Sequence, residues 1–297
     1  MNNIMLKYAK YVVFFLIMTG SFSSCEKKDD NPEKFRLVKI LYFNKSTSTT
    51  PTDGVEYLYD EAGNMVKESY IKYIPTTVLY MYKEYEYWGN KKIKMKLFDE
   101  DNEGLKLSKC IDYIYVNDQL VSEEISNGFG SFLCSMNYEY KGSNMIREYY
   151  YEPDYGISAE VKYTFDSQNR LIIEENDGTD NIGYIYIKYI YDSNERLMKL
   201  EYCDQNWELI RSIEKIYNGR SKLPVKDLHY DKNGIQTSQY EHYYDKKGNL
   251  TETRLVDGCS LFKRKYNGGL LMEEILYHGK ERGCAEDETT RYEYEKI

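Results

Sequence analysis

In "EVKYTFD", Glu160–Asp166, apolar and aromatic residues alternate with polar ones: Val161, Tyr163 and Phe165 against Glu160, Lys162 and Thr164. Side chains two apart share one face of a strand, so the segment predicts a strand with one packed and one wet face. Tyrosine suits that setting, because its ring packs while its hydroxyl stays hydrated. After Phe165 come Asp166, two polar residues and Asn169, and Leu171 restarts an apolar run. Aspartate bonds backbone amides ahead of it, and Gly or Asn accepts positive φ, so these words read strand, turn, strand.

The words recur. "YLYDEAGNMVKE" spans Tyr57–Glu68, "YIYDSNERLMKLE" spans Tyr189–Glu201 and "YYDKKGNL" spans Tyr243–Leu250. The second aromatic of the Y-x-Y-D core falls at Tyr59, Tyr87, Tyr115, Tyr140, Phe165, Tyr191, Tyr217, Tyr244, Tyr266 and Tyr294. The steps between these ruler residues are 28, 28, 25, 25, 26, 26, 27, 22 and 28 residues, and seven of the ten have another Tyr two places earlier. A fixed period with fixed chemistry marks an array. A second set of turns lies half a repeat away: 74–77, 99–104, 127–130, 153–156, 176–181, 204–206, 231–234 and 257–258. Each unit is therefore two strands, and about ten units give roughly twenty strands in an antiparallel meander. No helical period competes in the region.

Open sheets beyond about ten strands curl, split or flatten. A closed twenty-stranded barrel would enclose a wide lumen, and no plug is visible in the chain. A membrane-spanning barrel would need an apolar outer band, whereas the outward positions here are Glu, Lys and Thr. The expectation is an all-β antiparallel meander of about ten two-stranded repeats forming a curled or spiralling sheet. It covers 55–297 and follows cap strands in 35–54.

The Y-x-Y-D-x-x-G-N-L core resembles the YD repeat of RHS-type proteins, most clearly at Tyr57–Met65, Tyr163–Leu171, Tyr189–Leu197 and His242–Leu250. That resemblance implies a spiralling strip of β-hairpins. In large family members the strip closes into a shell around a toxin. This chain looks too short for that shell and shows no toxin tail, so encapsulation is not carried over.

The start of the chain reads differently. Lys7 and Lys10 precede the apolar run "YVVFFLIM", and small residues then lead to Cys25. A basic stretch, a short apolar core and small residues make a secretory signal. The run is well short of the ~20 residues of a membrane-spanning helix. "FSSC" resembles a bacterial lipobox, with Phe22 departing from the usual leucine, so the resemblance implies cleavage after residue 24 and lipid on Cys25. Glu26, Lys27, Lys28, Asp29 and Asp30 resemble the acidic export tract of Bacteroidetes-type outer-membrane lipoproteins, which implies display on the outer face of the outer membrane. Residues 25–34 then form a polar tether, and acyl chains hold the protein at the bilayer.

Composition narrows the chemistry. The formal charge is −9 over the chain. It becomes −11 once Lys7 and Lys10 leave with the signal, which disfavours nucleic acid as a partner. Cys110, Cys134, Cys203, Cys259 and Cys284 include no C-x-x-C pair. Cys110 and Cys134 lie two strand spacings apart, about 9.6 Å, too far for a disulfide, while Cys259 and Cys284 sit near turns where a bridge is open. His229 and His242 flank the turn at 231–234. If Tyr230 faces Ile235, His229 faces Gln236 and His242 faces Leu223, and the imidazoles stand ~20 Å apart, too far to share a metal. The carboxylates are scattered, and neither a phosphate loop nor a G-x-S-x-G elbow occurs. No catalysis, metal or cofactor is expected. The expected role is a surface-anchored module binding a glycan or a protein, with Tyr150, Tyr186 and Tyr243 as outward-pointing contact aromatics. The competing expectation is an envelope spacer without a ligand. A concentrated exposed aromatic patch would separate the first from the second.

Overall fold

The computed structural model describes residues 34–44, 47–101, 103–177, 184–256, 260–280 and 283–297. By its internal contacts the chain divides into Met1–Phe35 with Lys296–Ile297, and Arg36–Glu295. In the first unit the Ile297 amide donates to the Lys34 carbonyl at 2.8 Å. The second unit is all β.

One sheet of twenty strands holds it together. They are β1 (Phe35–Phe43), β2 (Asp53–Tyr59), β3 (Met65–Lys72), β4 (Val78–Trp88), β5 (Lys91–Asp101), β6 (Gly104–Val116) and β7 (Gln119–Asn127). Next come β8 (Phe132–Lys141), β9 (Asn144–Glu152), β10 (Gly156–Phe165), β11 (Leu171–Asn176), β12 (Tyr186–Tyr191) and β13 (Leu197–Cys203). The chain ends with β14 (Leu209–Tyr217), β15 (Pro224–Asp231), β16 (Gln236–Tyr244), β17 (Leu250–Leu255), β18 (Ser260–Asn267), β19 (Leu270–Lys280) and β20 (Gly283–Lys296). Each strand pairs antiparallel with the next along the chain. The segment 35–54 supplies β1 and the start of β2.

The expected open curl is corrected by one pairing: β1 also bonds β20, so the sheet closes on itself. Arg36 of β1 and Glu295 of β20 form an ion pair across the seam. The reason lies in where the repeats are cut. The chain begins on the second strand of a unit and ends on the first strand of another, so β1 completes the tenth hairpin. Closure also needs cumulative bending. All nine hairpins from β2–β3 to β18–β19 carry a register shift immediately before the ruler residue. Such bulges bend and twist a strand, and repeating one at the same place turns every unit the same way.

Closure leaves no second layer to pack against. Among the described residues only seven apolar and five polar side chains are buried, and of these only Thr289 and Cys203 fully. A barrel of this strand number is wide enough to be hollow. Towards the ruler end the exposed positions fall on the face opposite the tyrosines: Leu58, Glu86, Ile114, Glu139, Thr164, Ile216 and Tyr243. A ring crowds side chains on its concave side and splays them outside, so the tyrosine face is the concave one. The convex face carries ion pairs around the ring, among them Lys39–Glu56, Lys94–Asp112, Arg147–Glu139, Lys199–Glu201, Lys226–Glu241 and Arg254–Glu252. That charged surface opposes a bilayer-spanning band.

Candidate functional site

The ruler hydroxyls have a structural task. Tyr59, Tyr87, Tyr140, Tyr191, Tyr217, Tyr244, Tyr266 and Tyr294 donate to the backbone carbonyls of Leu37, Met65, Leu120, Leu171, Leu197, Pro224, Leu250 and Leu271. Each acceptor lies within the first three residues of the preceding strand, so every bond fastens one hairpin to the one before it. Phe165 has no hydroxyl to donate. Burial pushes the Tyr244 hydroxyl up to about 12. The turns that follow are held as their residues dictate. Asp166, Asp192 and Asp245 accept two backbone N–H bonds each through Oδ1. The third residue after each Asp has positive φ: Asn169, Glu195 and Gly248.

The aromatic two places before the ruler reaches back to a carboxylate. Tyr85, Tyr138, Tyr163 and Tyr189 donate to Glu68, Glu123, Glu148 and Glu174 at 2.7, 2.9, 2.6 and 2.9 Å. Burial raises the Glu148 pKa, helped by Glu174 and Glu123 and opposed by the Tyr163 hydroxyl. Burial likewise raises Glu123, against Tyr138 and Lys92. Glu68 feels the same burial, but Lys83 and the hydroxyls of Tyr70 and Tyr85 outweigh it and hold the carboxyl low. Where the repeat substitutes Lys215 and His242 for this Tyr, both turn to Asp227. Lys215 Nζ lies 3.0 Å from Asp227 Oδ2 and His242 Nε2 lies 3.4 Å from it. His242 Nδ1 is 3.0 Å from Thr253 Oγ1.

The expected histidine register is corrected here. Ile235 is taken into the turn, where its amide bonds Asp231 Oδ1. Tyr230 therefore pairs with Gln236, and His229 with Ser238. The two histidines end about four residues apart along β15, roughly 13 Å, with Asp227 between them. Among the described residues no three of His, Cys, Asp and Glu converge as metal ligands. Cys110, Cys134 and Cys203 are free. Cys110 pairs with Ser126 and Cys134 with the adjacent Ile125, so the first two point to opposite faces of the sheet.

The sequence candidates scatter. Cys25 and the tract Glu26–Asp30 lie outside the described residues, as does Cys259. Tyr150 does not point outward. It shares the concave face with Glu148, opposite Met136, and its hydroxyl meets Cys134. Three consecutive tyrosines hide their parity, and the Tyr163–Glu148 bond sets it. Tyr186 is on the convex face, but its ring stacks on Trp207 at 3.8 Å. Tyr243 is exposed as expected, with Arg254 over its ring at 5.0 Å and its hydroxyl on Glu241 at 2.8 Å.

A different group forms the patch. At the ends of β7–β10 away from the ruler turns, Phe129 is 98% exposed and Tyr155 79%, both at loop tips. Phe132, Tyr151 and Ile157, on the convex face of β8, β9 and β10 beneath them, are also exposed. Tyr151 pairs with Ser135 on one side and Ile157 on the other. Neither loop needs its aromatic: Asn127 Oδ1 accepts the amides of Phe129 and Ser131, leaving the Phe129 ring outside. Acidic residues flank the group, with Glu152 and Asp154 in one loop and, two loops away, Glu100 beside Asp101 and Glu103, which share Lys106. The signal legible in the sequence was an aromatic inside a turn word, "NGFG" and "PDYG", where nothing packs.

No known protein family and no curated protein matches the chain. Distant structural likenesses exist. A porin-like protein from Bacteroides uniformis is 11% identical, covers 89% of this chain and 99% of its own, with a TM-score of 0.40. A porin-like protein from Bacteroides vulgatus is 12% identical over 86% of this chain and 97% of its own, with a TM-score of 0.24. A chain of the TcdB2–TccC3 structure is 12% identical over 80% of this chain but 18% of its own, with a TM-score of 0.36. Likeness this distant leaves function to the residues themselves.

Proposed function

We propose that the protein is a lipid-anchored, non-catalytic binding module of the outer membrane, facing outward, which docks a protein partner on the β7–β10 loop ends. The observation that supports this is the gathering of Phe129, Phe132, Tyr151, Tyr155 and Ile157 on one sector of the rim, where Phe129 and Tyr155 are the two most exposed large apolar side chains among the described residues. Three of the five bring no hydrogen-bonding side-chain atom, which suits an apolar pocket on a protein better than a sugar. The acidic loops beside them suit a partner with basic surroundings. Aromatic anchors of this kind carry most of the energy of protein contacts. The Cys25 anchor and the tether would hold the ring at the membrane and present the patch.

The test is a displayed peptide library selected on the mature chain. The reading predicts enrichment of apolar–basic sequences whose binding falls at least tenfold with Phe129→Ala or Tyr155→Ala. Enrichment unaffected by either variant, or none at all, contradicts it and leaves the spacer role. Signal on a glycan array that is lost in the same variants would replace the protein partner by a sugar.

A further inference from the structure

The ruler rim carries a second exposed group, centred on the two units in which an apolar residue follows the ruler. Most units follow the ruler aromatic with a polar residue, but Trp88 follows Tyr87 and Val116 follows Tyr115. Their turns are tight two-residue hairpins, Gly89–Asn90 and Asn117–Asp118, so Trp88 pairs with Lys91 and Val116 with Gln119. Positive φ at Gly89, Asn117 and Asp118 is what such turns require. Pairing at the strand end sends both side chains outward over the rim. Trp88 is 77% exposed, Leu58 59% and Val116 53%, and Ile114 is exposed beside them. They occupy the convex face of β2, β4 and β6, spaced two strands apart, about 9.6 Å, and so form a crescent.

The same rim is where the chain enters the ring. Leu37, at the start of β1, takes the Tyr59 latch, and Arg36 meets Glu295 across the seam. Cys25 precedes Arg36 by eleven residues, which span at most about 40 Å when extended. The chain thus leaves the ring at the crescent's rim, the one opposite the aromatic patch. We propose that Leu58, Trp88, Ile114 and Val116 form a membrane-contact surface that seats this rim in the interfacial layer of the bilayer. The inference rests on the lipid anchor of the preceding section.

Tryptophan favours the membrane interface, where one end of the ring is apolar and the N–H stays wet. The crescent's lysines are already engaged: Lys67 with Glu84, Lys91 with Asp118, Lys94 with Asp112 and Lys96 with Glu86. The surface is close to neutral, so seating should need no anionic lipid and should resist salt.

The chain has two tryptophans, one at each rim. That makes the test internal. Lipidated protein carrying Trp207→Phe or Trp88→Phe is reconstituted in phosphatidylcholine vesicles whose acyl chains are brominated near the headgroup. Trp88 is expected to lose at least half its emission, equally at low and high salt, while Trp207 is unquenched. Vesicle-bound protein with Trp88 unquenched, or both tryptophans quenched alike, overturns the crescent and leaves the anchor standing. Protein that does not float with vesicles overturns the anchor instead. The crescent is then judged on the mature chain held by an N-terminal hexahistidine tag to nickel-chelating lipid, where the same quenching of Trp88 is required.

Discussion

The two rims of the ring end the same hairpins and share the Asp or Asn turn, yet the ruler latches are confined to one of them. At the ruler rim, eight tyrosine hydroxyls bond carbonyls of the neighbouring strand. Arg196 shows how tightly neighbouring turns are joined there. It pairs with Asp192 at 2.7 Å, donates to the Gly219 and Ser221 carbonyls at 2.7 and 2.9 Å, and lies 4.4 Å from the Tyr217 ring centre. At the far rim the loops differ in length and composition, and Phe129 and Tyr155 touch little. Side chains that repeat here hold the ring, and side chains that break the repeat are free to serve a partner.

The largest expected effect breaks the ring itself. Deleting 35–43 removes β1 and exposes strand edges on both sides of the seam, a ready template for aggregation. Loss of the folded monomer, read by gel filtration, is expected. A latch comes next. Tyr217→Ala removes a ring and its bond and should cost about 3–5 kcal/mol in urea unfolding, whereas Tyr155→Ala at the far rim should stay within about 0.5 kcal/mol. Tyr217→Phe isolates the hydroxyl and should cost about 1 kcal/mol, a loss that Tyr151→Phe should not reproduce.

How much of this was legible beforehand follows from the same contrast. The ruler spacing, the Asp turns and the twenty strands were written in repeated words, because each word does one job in every unit. Closure was hidden, because β1, "FRLVKILYF", carries no Y-x-Y-D and joins the array only by completing a unit begun at the other end of the chain. The pattern was blind in two places: it misassigned the face of Tyr150 in the run Tyr149–Tyr151, and it mispaired His229, where a bulge moves the register. The far-rim patch escaped because its residues obey no period.

The smallest effect lies in the wall between the rims. Glu148 has a raised pKa through burial, so it is harder to ionise in the folded protein than in the unfolded one. Its folding penalty is present above the folded-state pKa and is relieved as pH falls through it towards the unfolded value. Glu148→Gln keeps an acceptor for Tyr163 and should therefore be more stable than wild type at pH 7, by a margin that shrinks towards pH 5. Urea melts at the two pH values read this directly. A margin that grows on acidification would show the carboxylate to be favourable as charged.

Closure is the claim on which both rims depend, and hydrogen exchange of β1 and β20 tests it most directly. In a closed ring the amides of both strands are bonded on both sides. They should exchange as slowly as those of β6 and β7 in the middle of the chain. Fast exchange of alternate amides along β1 and β20, with β6 and β7 protected, would mean two open edges and a curled sheet, and would contradict the ring.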